Sequence, residues 1–189
     1  MSDPSEYQSL PTPIQRAAAG FRTAGWTGFW VQVVLAVVAT IILLFAASSR
    51  SIAPAVASPG RGFGVFFAIC GLVALYVSIF WAFRYTRLSK QLQTPDPALR
   101  PRKADTVELL RMGVMINLIG LLLIILGAQA IVGTLLAKSL SQVQGLGALD
   151  PSRQIQPLDI FVVQANTHTI TAHFAGLVTS LWLLNRLSR

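Results

Sequence analysis

Two histidines and three side-chain amides stand inside stretches of sequence that carry no charge, and any chemistry in this chain would fall to them. His168 and His173 could ligate a transition metal, a haem or the magnesium of a chlorophyll, or relay a proton. Gln32, Asn117 and Gln129 could line the route of such a ligand. The competing reading is structural: imidazoles and amides are polar glue between membrane helices. Five residues apart on a helix, the two histidines point about 140° from each other, so they do not form the (i, i+4) pair that grips one metal. The same stretches hold no Asp or Glu, which removes the carboxylate of ion-coupled carriers and an oxygen cage for a hard cation. No phosphate-binding loop, zinc-protease pair or Ser/His/Asp set is present, and an enzyme is not expected. Cys70 stands alone and reads as a small packing residue.

The elements that must position these residues follow from where the charges are. Residues 23–49, 62–83, 112–137 and 160–185 contain no Asp, Glu, Lys or Arg. A helix needs about 20 residues to cross the hydrocarbon, and each run is long enough. Only 12% of the chain is charged and 53% is hydrophobic, against about a quarter charged in soluble domains. Unpaired backbone is not tolerated in lipid, so Leu-, Ile- and Ala-rich runs of this length are helical. The expected architecture is all-α: one membrane domain over residues 1–189, a bundle of four transmembrane helices. Depth along the helices pairs Gln32 with His173, and Gln129 with His168, as candidate interhelical hydrogen bonds worth ~0.6–2 kcal/mol each.

Small residues mark the faces that meet. Gly113, Gly120 and Gly127 recur every seven residues, with Asn117, Ile124, Ile131 and Thr134 on the same stripe. The second run offers Gly64, Ala68, Gly71 and Ser78, and the first Gly25, Gly28, Gln32, Ala36 and Ala39. The fourth offers Asn166, Thr169, His173, Gly176 and Ser180. Glycine lets neighbouring backbones approach, so these stripes predict a tight bundle with its polar groups inside.

Orientation comes from the basic residues. The N-terminal tail has Arg16 and Arg22, and the C-terminus Arg186 and Arg189. Between the second and third runs, the basic segment 84–111 holds Arg84, Arg87, Lys90, Arg100, Arg102, Lys103 and Arg111, making eleven on one face. The opposite face has four: Arg50, Arg61, Lys138 and Arg153. The positive-inside rule puts both termini and segment 84–111 on the cytoplasmic or stromal side. Trp26, Trp30, Trp81 and Trp182 fall on that same side, at headgroup level. The net charge of +8 is therefore topology, and nucleic acid is not an expected partner. Arg84, Arg87, Lys90, Arg100, Arg102 and Lys103 are candidates to dock an anionic lipid or an acidic partner. Arg84, Arg87 and Lys90 should extend the second helix outward until Pro95, Pro97 and Pro101 break it. Asp105 with Glu108 resembles a capping box opening the third. The polar start MSDPSEYQSL is unlike a signal or transit peptide, so the first helix is expected to be retained.

Several segments together carry a resemblance. PIQRAAAGFRTAGWTG and the following FWVQVVLAVVATIILLFA, then RYTRLSKQL, RKADTVELLRMGVMINLIG and QANTHTITAHF, resemble the cyanobacterial branch of a four-helix membrane family of unknown function. That family includes the chloroplast inner-envelope protein called permease in chloroplasts, also described as a translocon component. The resemblance implies a cyanobacterial inner or thylakoid membrane, and a role in iron permeation or preprotein import. It supplies no catalytic residues, and no cofactor is assigned. Two functions are therefore carried forward. One is a small, oligomeric permease for iron or another transition metal, using His168 and His173 with Gln129, Asn117 and Gln32. The other is a non-transporting subunit or assembly factor of a larger complex, translocon or photosynthetic, acting through its glycine stripes and basic segment.

Overall fold

The computed structural model describes residues 12–52, 59–94, 100–143 and 154–188. Four helices account for almost all of them: α1 (Thr12–Ile52), α2 (Pro59–Leu92), α3 (Lys103–Val143) and α4 (Pro157–Ser188). The shortest has 32 residues, which at 1.5 Å per residue is about 48 Å and exceeds the ~30 Å hydrocarbon. The helices therefore continue past the uncharged runs at both ends. Pro59 and Pro157 occupy first helical positions, where a missing N–H costs nothing. Arg153, Arg189, Pro95 and Pro97, invoked above for orientation and chain breaking, lie outside the described residues, as does the polar N-terminal start.

Most of the segment 84–111 is helix: α2 carries Arg84, Arg87 and Lys90 outward to Leu92, as their helical spacing suggested, and α3 is already formed at Lys103. Charge ends a hydropathy run without ending a helix. Asp105 does not cap α3; it sits inside the first turn, two residues after the start, where its charge still faces the positive end of the helix dipole.

The helices form an up-and-down ring in which each packs on its sequence neighbours and α4 closes against α1. One end is fixed by an apolar cluster of Phe21, Tyr85, Leu88, Leu110 and Leu183, which gathers the start of α1, the end of α2, the start of α3 and the end of α4. Ser89 donates to the Ala18 carbonyl at this end. The other end is held by Ala46, Ile131 and Val162. The described starts and ends of the chain thus share one end of the bundle with Arg84 and Arg111. At the opposite end Lys138 reaches Asp159 at 2.7 Å, and Asp159 also accepts the Gln156 N–H.

Three helices, α1 to α3, are long and apolar enough to cross a membrane by themselves. α4 is richer in polar side chains in its outer half: Gln164, Asn166, Thr167, His168, Thr169, Thr171 and His173. It runs the full depth beside α1, from Arg186 against Gly20 to Phe161 against Phe45.

The predicted small-residue stripes are the buried faces. From Gly113 to Ile131 every α3 stripe residue is buried, as are those of α1, α2 and α4. Added carbon at these glycines would strike a neighbouring helix. A Cβ at Gly71 would lie 2.8 Å from Cβ of Ile124, and one at Gly127 would lie 3.0 Å from the Gly64 carbonyl oxygen. α2 and α3 therefore approach backbone to backbone, which an Ala at either site would prevent.

Candidate functional site: a polar knot at mid-bundle

Each helix sends one polar side chain to the same point. Gln32 comes from α1, Ser78 from α2, Asn117 from α3 and His173 from α4, and all four are at most 2% exposed. Asn117 is the hub. Its Oδ1 accepts from Ser78 Oγ at 2.8 Å and from Gln32 Nε2 at 3.3 Å, and faces His173 Nδ1 at 3.2 Å. Its Nδ2 donates to the carbonyl of Gly113 one turn back, at 2.9 Å. Gln32 Nε2 also lies 2.8 Å from Ser78 Oγ and 3.2 Å from the Ala172 carbonyl. His173 Nε2 faces the Gly71 carbonyl at 3.1 Å.

Glycines make room for the knot. A Cβ at Gly120 would fall inside the His173 imidazole, and one at Gly176 would collide with the Gln32 and Asn117 amides. About two turns further inward, the Tyr85 hydroxyl meets Ser180 Oγ at 3.0 Å, in space that a Cβ at Gly113 would fill. The apolar cluster of Ala36, Leu75 and Ala172 covers the knot from the outer side. The void beside it, between Gly28, Tyr85, Thr179 and Ser180, admits no water-sized sphere.

This arrangement constrains the chemistry. Gly113, Ala172 and Gly71 present backbone carbonyls, which can only accept, so they fix the orientation of both amides and require an N–H on His173 Nε2. Nδ1 then faces a second acceptor. A neutral imidazole has one N–H and satisfies one of these oxygens at a time; the doubly protonated ring satisfies both. In either state no nitrogen lone pair points into open space, which a metal ligand requires. Asn117, Gln32 and His173 are arranged as interhelical fasteners.

Three of the five candidate residues thus meet, and two do not. The expected Gln32–His173 bond is indirect: both touch Asn117 Oδ1, because Asn117 lies between α1 and α4. Gln129 and His168 form no pair. Gln129 is exposed on α3, and His168 instead contacts Gln164 on its own helix at 3.1 Å. The two histidines sit on different faces of α4, one buried and one turned outward. Among the described residues no group of three or more His, Cys, Asp or Glu is placed to hold a metal. Ser78 was legible only as a small residue, and nothing in the sequence identified it as a partner of the knot. Asn166, also buried, has neither amide atom bonded among the described residues.

At the inner end, Arg84 and Arg87 flank a groove of about 410 Å³ between α2 and α3, lined by Phe80, Phe83, Leu88 and Leu109 and, on the α3 side, by Asp105. The Arg84 guanidinium lies 5.1 Å from the Trp81 ring, and that of Arg87 lies 4.9 Å from Phe83. Lys90, Arg102 and Lys103 are exposed but do not line this groove, and Arg100 turns back to the Thr94 carbonyl.

The chain is 37% identical over 190 residues to Protein TIC 21, chloroplastic, of Arabidopsis thaliana. The match covers 96% of this chain and 61% of that protein, so the chain spans about three fifths of its relative's length. No solved structure matches. Over residues 11–188 the sequence matches the family described as "Protein of unknown function (DUF3611)", and the chain belongs to that family.

Proposed function

We propose that this chain is a non-transporting subunit or assembly factor of a larger membrane complex, in a cyanobacterial inner or thylakoid membrane or the equivalent plastid membrane. The observation that carries the reading is the sealed core. All four helices are tied at mid-depth to one amide, both imidazole nitrogens face protein oxygens, and the void beside them admits no water-sized sphere. A carrier needs an internal site that opens and releases, whereas this core is built to stay shut. The translocon description attached to the family's chloroplast member fits a subunit. Anionic lipid is the partner assigned to the Arg84–Arg87 groove, where two guanidinium groups stand beside apolar walls at headgroup depth. Solubilising native membranes in mild detergent and sizing the tagged chain tests the reading. A subunit migrates with other proteins, far above its own mass plus the detergent micelle.

A second reading is supported by one observation. Gln32, Asn117 and His173, all candidates for an iron or other transition-metal path, converge at mid-membrane. As a permease, the chain would have to break the Asn117 hub during each cycle. Uptake into liposomes separates the two readings.

A further inference from the structure

Apart from Gln129 on α3, the outward sides of α1, α2 and α3 are aliphatic and aromatic at mid-depth, with Val34, Ile41, Phe66, Val73, Leu118 and Leu122 all exposed. The outward side of α4 is different. In its outer half it presents Gln164, Thr167 and Thr171, all exposed, with His168 half-buried beside them. The spacing of three and four residues puts them on one face. His168 lies eight residues past Ile160, about 12 Å below the outer end of the uncharged run, which is well inside the hydrocarbon. The threonines are satisfied by their own helix, donating to the Val163 and Thr167 carbonyls. Gln164 and His168 are only half satisfied. Their contact uses one amide N–H and one ring nitrogen. The other ring nitrogen and the amide oxygen have no partner among the described residues, and lipid offers none.

We propose that this stripe is the surface on which a second copy of the chain docks, α4 against α4, about a two-fold axis along the membrane normal. Such an axis brings equal depths together, so each Gln164 and His168 meets its own counterpart. Gln164 keeps a second N–H and its carbonyl oxygen, so two copies of this amide pair reciprocally, and His168, whose Nε2 accepts from Gln164, keeps a ring N–H that can donate to the remaining lone pair of the facing amide oxygen. Thr167 and Thr171 are small enough to let the two helices approach. A different partner would need its own polar groups at matching depth, whereas a second copy has them by identity. The inference deepens the subunit reading by naming one contact, and stands or falls separately from it.

Single cysteines test it in a Cys70→Ala background, in native membranes under mild oxidation. Thr167→Cys should cross-link to a product of twice the chain mass, and Val73→Cys, on the lipid face of α2, should not. Adding Gln164→Leu and His168→Leu should lower the Thr167→Cys yield roughly fivefold to tenfold, while the variant still elutes as a single species in detergent. Cross-linking of Thr167→Cys to a product of another mass would overturn the pairing of copies and leave the subunit reading intact. Equal cross-linking from both cysteines, or from neither, would remove the interface altogether. A chain that purifies free of other proteins yet cross-links to itself through Thr167→Cys would sink the subunit reading alone.

Discussion

The His173 imidazole occupies the space that a side chain on Gly120 would fill, so α3 and α4 pack at mid-depth only because residue 120 has no Cβ. Gly120→Ala should therefore destabilise the protein by about 1–3 kcal/mol, the usual range for overpacking, and Gly120→Leu by more. Leu122, two residues on, is 59% exposed, and Leu122→Ala should cost little. Thermal stability in detergent reads both. Equal tolerance would mean that the glycine stripe faces lipid.

Asn117 should matter more than any other member of the knot. Asn117→Ala removes the acceptor shared by Ser78 and Gln32, and leaves the buried Ser78 hydroxyl unpaired at ~1–3 kcal/mol, while Gln32 keeps the Ser78 and Ala172 oxygens. Ser78→Ala removes one donor from an oxygen that keeps others, and should cost less. In a double-mutant cycle, Gln32→Ala and Asn117→Ala should be non-additive, since they break one bond between them.

The buried faces were readable in the sequence because glycine and alanine at helical spacing report close packing directly. Gly113, Gly120 and Gly127 mark the α3 stripe without reference to any partner. Which polar groups meet was not readable, for a physical reason. Depth places Gln32, Asn117 and His173 near one level, but the rotation of each helix decides which of them touch. Asn117 points between α1 and α4 and intercepts the expected Gln32–His173 bond. Gln129 and His168 share a level, yet both turn away from the bundle. The extension of α2 was readable from Arg84, Arg87 and Lys90 at helical spacing, because charge ends a hydropathy run and not a helix.

The Lys138–Asp159 pair should anchor the outer ends of α3 and α4. Asp159 is 4% exposed and Lys138 18%, so removing Lys138 takes the cation from a buried carboxylate that keeps other contacts, the Gln156 N–H among them. Lys138→Met should therefore cost less than the about 3–5 kcal/mol of a fully broken buried pair. Lys138→Met with Asp159→Leu should recover much of that loss. A double variant as unstable as the single would show that the carboxylate serves only its helix end.

Topology follows from the basic residues and the shared inner end of the bundle. In a Cys70→Ala background, cysteines at Gln93 and Gln154 should label from opposite sides of sealed vesicles, with Gln93 on the cytoplasmic or stromal side. Labelling of both from one side would contradict four spans. At the same inner surface, Arg84→Gln with Arg87→Gln should reduce co-purifying anionic lipid. Neutralising Arg100, Arg102 and Lys103, which do not line the groove, should leave it nearly unchanged.

The closed core is tested most directly by uptake of ferrous iron into liposomes containing the purified protein. The sealed knot predicts no uptake above protein-free liposomes, and no difference between the native chain and His173→Ala. Saturable uptake by the native chain that disappears in His173→Ala, with both proteins equally folded in the membrane, would contradict it and establish the permease.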